Sequence, residues 1–336
     1  MADYKGIKGF TIPTVSSDPS NLIIGQMWYN STTKILKGAG AGVGAWAATN
    51  AINTARYTGG SAGTTGTSAM FFGGQAPGSY NFRAETEQYN GTSWSEVGDL
   101  NTDKRQAVGF GSQSDAMAVG GYAEPPTNIV DQSETWNGTS WSEGNNMGSK
   151  RYGCGAGGHS TSSAGLIWGG HEDGTAVNVT KTETYNGTSW TEVNDLATAT
   201  TGSGGAGTQA AALSINTLGP PASGLCNRWD GTSWTTDGGT INTPRNYASQ
   251  HGGTQTSAIY AGGHPTTPAE TLTEIYDGTS WTEVADLTTG RYGLGGAAVN
   301  NTAALVFGGT QDPGPAVDAS EEWTTPDITT VTVTTS

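Results

Sequence analysis

A nine-residue phrase, YNGTSWSEV at 89–97, returns four times with small changes, as WNGTSWSEG, YNGTSWTEV, WDGTSWTTD and YDGTSWTEV. Its tryptophans are Trp94, Trp141, Trp190, Trp234 and Trp281, and Trp46 in GVGAWAATN joins them as a diverged sixth copy. Successive members lie 48, 47, 49, 44 and 47 residues apart. Repeats of roughly 40 to 50 residues made of short strands indicate a β-propeller rather than a sandwich.

The phrase contains Asn-Gly-Thr, a glycosylation sequon, but Asn90, Asn137 and Asn186 become Asp230 and Asp277 in the last two copies. Aspartate carries no N-glycan. Asn-Gly and Asp-Gly share easy access to positive φ, so the phrase predicts a two-residue type I′ turn between antiparallel strands, the second opened by Thr-Ser-Trp.

Two more marks keep the same period. Small apolar runs end in Gly-Gly at Gly73 and Gly74, Gly120 and Gly121, Gly169 and Gly170, Gly262 and Gly263, and Gly308 and Gly309, while the fourth unit has LSINTLGPP instead. An arginine follows each tryptophan strand at Arg56, Arg105, Arg151, Arg245 and Arg291, with the fourth unit deviating at Thr201. The order Arg, Gly-Gly, Glu-x-Tyr/Trp, Trp resembles the kelch repeat over residues 40 to 325. That resemblance implies four antiparallel strands per blade, the innermost following the arginine and the second ending at Gly-Gly. No helical periodicity competes with it.

Counting the degenerate fourth unit, six Gly-Gly positions and six Glu-x-aromatic positions occur, the last being SEEWTTP with Trp323, yet no Trp strand follows. The strand of Trp46 is therefore expected to complete the sixth blade, joining the two ends of the ring and leaving no open edge. The alternative is a seventh blade built from GQMWYNSTTKILKG and the C-terminal DITTVTVTTS. The expected division is an anchoring hairpin segment at 1–38, an all-β, six-bladed kelch-type propeller at 39–325, and a tail or strand at 326–336.

Composition narrows the function. The net charge of −15 opposes binding to nucleic acid or to an anionic membrane surface. With 53 glycines among 336 residues, stability must come from strands of small residues and buried tryptophans. Cys154 and Cys226 match neither a disulfide framework nor a metal signature. MADYKGIKGFTIPTV lacks the apolar core of a signal peptide, and no apolar run is long enough to span a bilayer. Some kelch-like propellers resemble galactose oxidase, whose copper site needs clustered histidines, tyrosines and a cysteine. The four histidines, His159, His171, His251 and His264, show no such spacing, and no nucleophile elbow or phosphate loop is visible. No enzyme activity, cofactor or metal is expected.

What varies between units is where binding is expected. The loops after Gly-Gly are long and dissimilar, and Tyr80, Phe82, Tyr122, His171 and His264 on them are the candidates for contact with a ligand, above all a carbohydrate. Arg56, Arg105, Arg151, Arg245 and Arg291 form a second candidate set, a ring of cations for an anionic partner. The alternative is that a residue repeated once per blade serves the blade, for instance by donating to neighbouring carbonyls.

Ahead of the repeats, the phrase Gly-x-x-Trp-Tyr-Asn-x-Thr-Thr-x-x-Leu-Lys at 25–37 is similar to segments near the start of tail-fibre and other virion proteins of tailed bacteriophages. The enrichment in Thr, Gly, Ser and Asn also resembles kelch-like proteins of marine tailed phages. The resemblance implies a virion protein made in the host cytoplasm and present in several copies per particle. It would be anchored to other virion proteins by its N-terminal segment, with its loops presented to a receptor on the host surface. Capsid decoration or tail adaptation without a receptor is one competing role, and a cellular kelch interaction protein is another.

Overall fold

The computed structural model describes residues 12–333 apart from 22, 24, 41–43, 79–80, 124–127, 158–160, 173–176, 216–223, 251, 265–268, 312–313 and 326–328. The chain divides into two compact units, residues 46–324 and residues 1–45 with 325–336. No described residue is helical.

In the larger unit the described residues form six four-stranded antiparallel sheets. The first contains Gly60–Thr65, Ser68–Phe72, Thr86–Tyr89 and Trp94–Glu96. The second begins at Val108–Ser112, the third at Gly155–Gly157, the fourth at Gly204–Thr208 and the fifth at Gly253–Thr254. The sixth runs Gly295–Asn300, Ala303–Phe307, Ser320–Thr324 and then Ala45–Thr49, which carries Trp46. Each sheet follows one plan: a glycine-rich strand, an apolar strand, a Glu-x-aromatic strand (Asn-x-Trp in the fourth) and, outermost, a tryptophan strand. All-β organisation in small antiparallel sheets is thus a propeller-like arrangement.

The repeated turn differs from the type I′ expectation. Trp94 pairs directly with Tyr89, so four residues rather than two connect the strands. Gly91 alone among them takes positive φ, at 90°. Asn90 Oδ1 accepts the backbone N–H groups of Thr92 and Ser93, both at 2.9 Å. Asn137, Asn186, Asp230 and Asp277 do the same in the other copies. Asn and Asp interchange here because both carry an acceptor oxygen, not because both tolerate left-handed backbone. The same pair of N–H donors holds the Asp230 and Asp277 carboxyls below their ordinary value.

Apolar burial lies between the sheets. Six clusters of buried side chains each join two successive sheets. One contains Phe71 of the first sheet with Phe307 of the sixth, and another contains Phe72 of the first with Trp136 of the second. The outer tryptophans work across these seams. Trp94 meets Phe307 at 4.7 Å, Trp141 meets Phe72 at 4.9 Å, and Trp234 meets Trp168 at 5.1 Å between ring centres. Trp46, Trp141 and Trp234 also donate from Nε1 to Thr273, Thr86 and Thr182 of the preceding sheet.

A second feature ties the innermost strands together. Just before each of them stands a residue of positive φ: Thr58, Gln106, Gly153, Gly202, Tyr247 and Gly293. The N–H of Gln106 donates to the Thr58 carbonyl, Gly153 to Gln106, Gly202 to Gly153, Tyr247 to Gly202, Gly293 to Tyr247, and Thr58 to Gly293. These six bonds, between 2.6 and 3.1 Å, return to their starting residue.

Two residues before five of these six positions lies a buried cation. Arg56, Lys104, Arg151, Arg245 and Arg291 are paired with Glu87, Glu134, Glu183, Glu274 and Glu321, with side chains 0–3% exposed. The arginines also donate to the first glycine carbonyl of their own sheet's Gly-Gly, at Gly73, Gly169, Gly262 and Gly308. Each glutamate accepts further N–H bonds, Glu274 for example from the backbone and side chain of Asn242 at 2.7 and 2.8 Å. Two readings are corrected by this register. Lys104, not Arg105, holds the second position, and Thr200, not Thr201, holds the fourth. In the fourth unit the glutamate position is Asn227, so both charges are missing together. A lone buried charge is costly, whereas a neutral polar pair is not.

The first glycine of each Gly-Gly is fixed by closeness as well as by φ. Gly308 has φ 62°, and a Cβ there would lie 2.7 Å from the Arg56 carbonyl oxygen. Gly308→Ala is expected to destabilise the larger unit by about 2–4 kcal/mol, left-handed strain and overpacking adding together. Urea unfolding followed by tryptophan fluorescence measures it, and a loss below 1 kcal/mol would contradict the account.

In the smaller unit Thr14–Val15, Met27–Asn30, Ile35–Gly40 and Thr329–Thr332 form one sheet in that order, with the first pair parallel. The C-terminal stretch is therefore a strand of this sheet, and a hairpin turn at 31–34 joins Met27–Asn30 to Ile35–Gly40. Asp18 accepts from Trp28 Nε1 at 3.0 Å, Asn30 Nδ2 at 2.8 Å and Lys37 Nζ at 2.6 Å. Those donors, Lys37 foremost, lower its carboxyl from 3.8 to about 2. A carboxyl depressed in the folded state stabilises it above the unfolded value and loses that effect as pH falls from about 4 towards 2. Trp28 is the one tryptophan of residues 1–45, and its indole Nε1 resonance follows this carboxyl by NMR. The Trp28 signal is expected to shift over that window and to stay flat in Asp18→Asn.

Candidate binding site beside the Gly-Gly turns

Immediately after Gly-Gly the chain pairs back with the residue that follows the buried cation. Gln75 pairs with Tyr57, Tyr122 with Arg105, His171 with Tyr152, His264 with Asn246 and Thr310 with Tyr292. Because the cation on one side and the glycines on the other are buried, these paired residues are held in place around the hydrogen-bonded ring. Five short pairings thus stand where the variable loops begin.

Across the first three sheets the side chains stack in sequence. The Arg105 guanidinium lies 5.0 Å from the Phe82 ring centre and 5.2 Å from that of Tyr122. Tyr122 meets Tyr152 at 4.5 Å, and Tyr152 meets His171 at 5.0 Å. Arg105 Nη1 donates to Gln75 Oε1 at 2.5 Å, and His171 Nδ1 lies 3.2 Å from Asn178 Oδ1. Across the ring, His264 and Tyr292 form a separate pair at 4.9 Å. Burial and a hydrogen bond with Tyr122 push the Tyr152 phenol far above its ordinary value, and burial raises Tyr247 as well. Both phenols therefore keep their protons at neutral pH and act as O–H groups.

The centre of the ring is nearly filled. A cavity of about 20 Å³ remains, lined among others by Thr58, Gln106, Cys154 and Tyr247. That volume suits one water and excludes a sugar. Tyr247 lies against Gly202, and its hydroxyl accepts from Gln106 Nε2 at 3.3 Å. On the opposite side, among the first hairpins of the sheets, a hollow of about 390 Å³ is lined by Thr64, Thr208, Thr254 and Val299.

The sequence candidates divide accordingly. Tyr80 lies outside the described residues. Tyr122, His171 and His264 are half-buried members of the paired arc. Phe82 is only 4% exposed and supports Arg105 from beneath instead of facing solvent. Arg56, Arg151, Arg245 and Arg291 are not a ring for an anionic partner, since each is sealed in an ion pair within its own sheet. Arg105 alone of that set stands in the arc. Tyr57, Tyr152, Tyr247 and Tyr292 were missed, although a visible signal marks them: a tyrosine follows the arginine at Arg56, Arg151 and Arg291 and comes two residues after Arg245.

No family model matches the chain, and no curated protein matches it. Among the solved structures similar to it is that of YjhT, with a TM-score of 0.66 and 14% identity over 84% of this chain and 99% of that one. At such identity the likeness is one of fold alone, and it accords with the propeller-like arrangement of small sheets.

Proposed function

We propose that the chain is a six-bladed kelch-type propeller that binds saccharide on the Gly-Gly side and performs no chemistry. The sheets are its blades, and the strand of Trp46 closes the ring beside Trp323. The cyclic hydrogen bonds of the inner strands support this reading over a seven-bladed one, as does the parallel pair in the separate sheet of the N-terminal segment. The observation that carries the binding role is the stack from Arg105 through Tyr122 and Tyr152 to His171. Half-buried aromatic faces flanked by N–H and O–H donors suit the alternating apolar and hydroxyl faces of a sugar.

The particle context rests on the N-terminal phrase. In that reading residues 1–45 with the C-terminal strand attach the protein to other virion proteins of a tailed phage, and several copies present their arcs to the host surface. Weak contacts then gain from avidity. The first test is binding of the purified full chain to an array of bacterial-surface polysaccharides. Tyr152→Ala is expected to weaken binding about thirty-fold, the effect of removing a central aromatic anchor, with the melting temperature little changed. Unaltered binding in that variant would remove the arc from the site.

A further inference from the structure

Seven arginines occur in the chain. Six of them pair with a carboxylate: Arg56, Arg83, Arg151, Arg228, Arg245 and Arg291. Among the described residues no carboxylate lies within 4 Å of Arg105, in a chain where 29 acidic residues outnumber 14 basic ones. Among the described residues this sets Arg105 apart from the other six arginines. Gln75 and the rings of Phe82 and Tyr122 fix its plane, and its Nε is buried with no partner.

The backbone beside it points the same way. Three repeats place glycine at the left-handed ring position, whereas Gln106 and Tyr247 keep side chains there at φ 54° and 51°. Left-handed backbone is unfavourable for a bulky residue, and such strain gathers where side chains have work to do. Gln106 Nε2 donates to the Tyr247 hydroxyl at 3.3 Å, and Arg105 acts electrostatically on Tyr247 and on Tyr152. Guanidinium, amide and phenol groups together make a corner rich in donors.

We propose that Arg105, with Tyr122, Tyr152, Gln106 and Tyr247, is an anion subsite that recognises the carboxylate of an acidic saccharide. The inference rests on the saccharide-binding reading and narrows it. The sugar's carboxylate meets Arg105, and its ring lies on the Tyr152 and His171 faces. A guanidinium held between rings is pre-organised for such a planar acceptor.

The test uses the full chain on an array carrying uronate-containing oligosaccharides, their methyl esters and neutral oligosaccharides. Titration calorimetry then follows on the strongest uronate ligand and its ester. The acid is expected to bind at least ten-fold more tightly than the ester. Arg105→Gln is expected to weaken acid binding about ten- to a hundred-fold, to weaken ester binding far less, and so to collapse the preference. Its melting temperature should stay near that of the parent, because Arg105 belongs to no buried ion pair. Equal binding of acid and ester, or of neutral sugars only, with no response to Arg105→Gln, overturns the anion subsite and leaves the saccharide reading standing. Failure to bind any saccharide on the array overturns both.

Discussion

Glu274→Ala is expected to cost the larger unit about 3–5 kcal/mol, because it strands the Arg245 guanidinium in a site that is 0% exposed. The same change also leaves the Asn242 backbone N–H without its acceptor. The fourth sheet shows how the chain dispenses with such a pair: Thr200 and Asn227 stand where arginine and glutamate stand elsewhere, both of them buried. Arg245→Thr combined with Glu274→Asn should therefore cost less than Glu274→Ala alone. Chemical unfolding of the three variants forms the comparison, and a double variant less stable than the single one would show that the pair contributes attraction beyond satisfying its own desolvation.

Trp46→Ala should be comparably damaging, about 3–5 kcal/mol for truncating a buried tryptophan. Its indole is 8% exposed, lies 5.5 Å from Trp323, and donates to Thr273 of the preceding sheet at 2.9 Å. The comparison is Trp94→Ala, an equivalent outer tryptophan whose strand is covalently continuous with its own sheet. If the Trp46 strand closes a ring, its variant should also speed proteolysis of residues 39–50, because that strand is attached to its sheet only by non-covalent contacts. Equal proteolysis of the two variants would contradict a closing role.

Much of the fold was legible because periodic marks report on local geometry. Spacing of tryptophans, Gly-Gly ends and Glu-x-aromatic strands located the sheets, and the missing last tryptophan strand pointed to Trp46. The turn was misread because Asn and Asp share two properties, and only coordinates tell whether acceptor or φ preference is in use. Arg105 was misplaced because Lys104 and Arg105 are adjacent cations and a pattern of arginines selects the wrong one. A strand alternates faces with each residue, so that single step separates a buried structural charge from a surface one. Tyr152 and Tyr292 went unnoticed because a repeated residue reads as scaffold unless its burial is known.

The pairing beside the Gly-Gly turns has one more consequence. Tyr57, Arg105, Tyr152, Thr201, Asn246 and Tyr292 occupy one equivalent position per sheet, each next to a buried residue of the frame and close to the hydrogen-bonded circle. Five of the six side chains differ little in backbone setting yet span phenol, guanidinium and amide chemistry. A change at one of them alters a sector of the rim and is felt by the sector beside it, since Arg105 and Tyr152 meet through Tyr122 and Tyr292 rests against His264 of the sheet before. The molecule is in effect a dial whose letters are read in adjoining pairs, so that a new preference is written two sheets at a time.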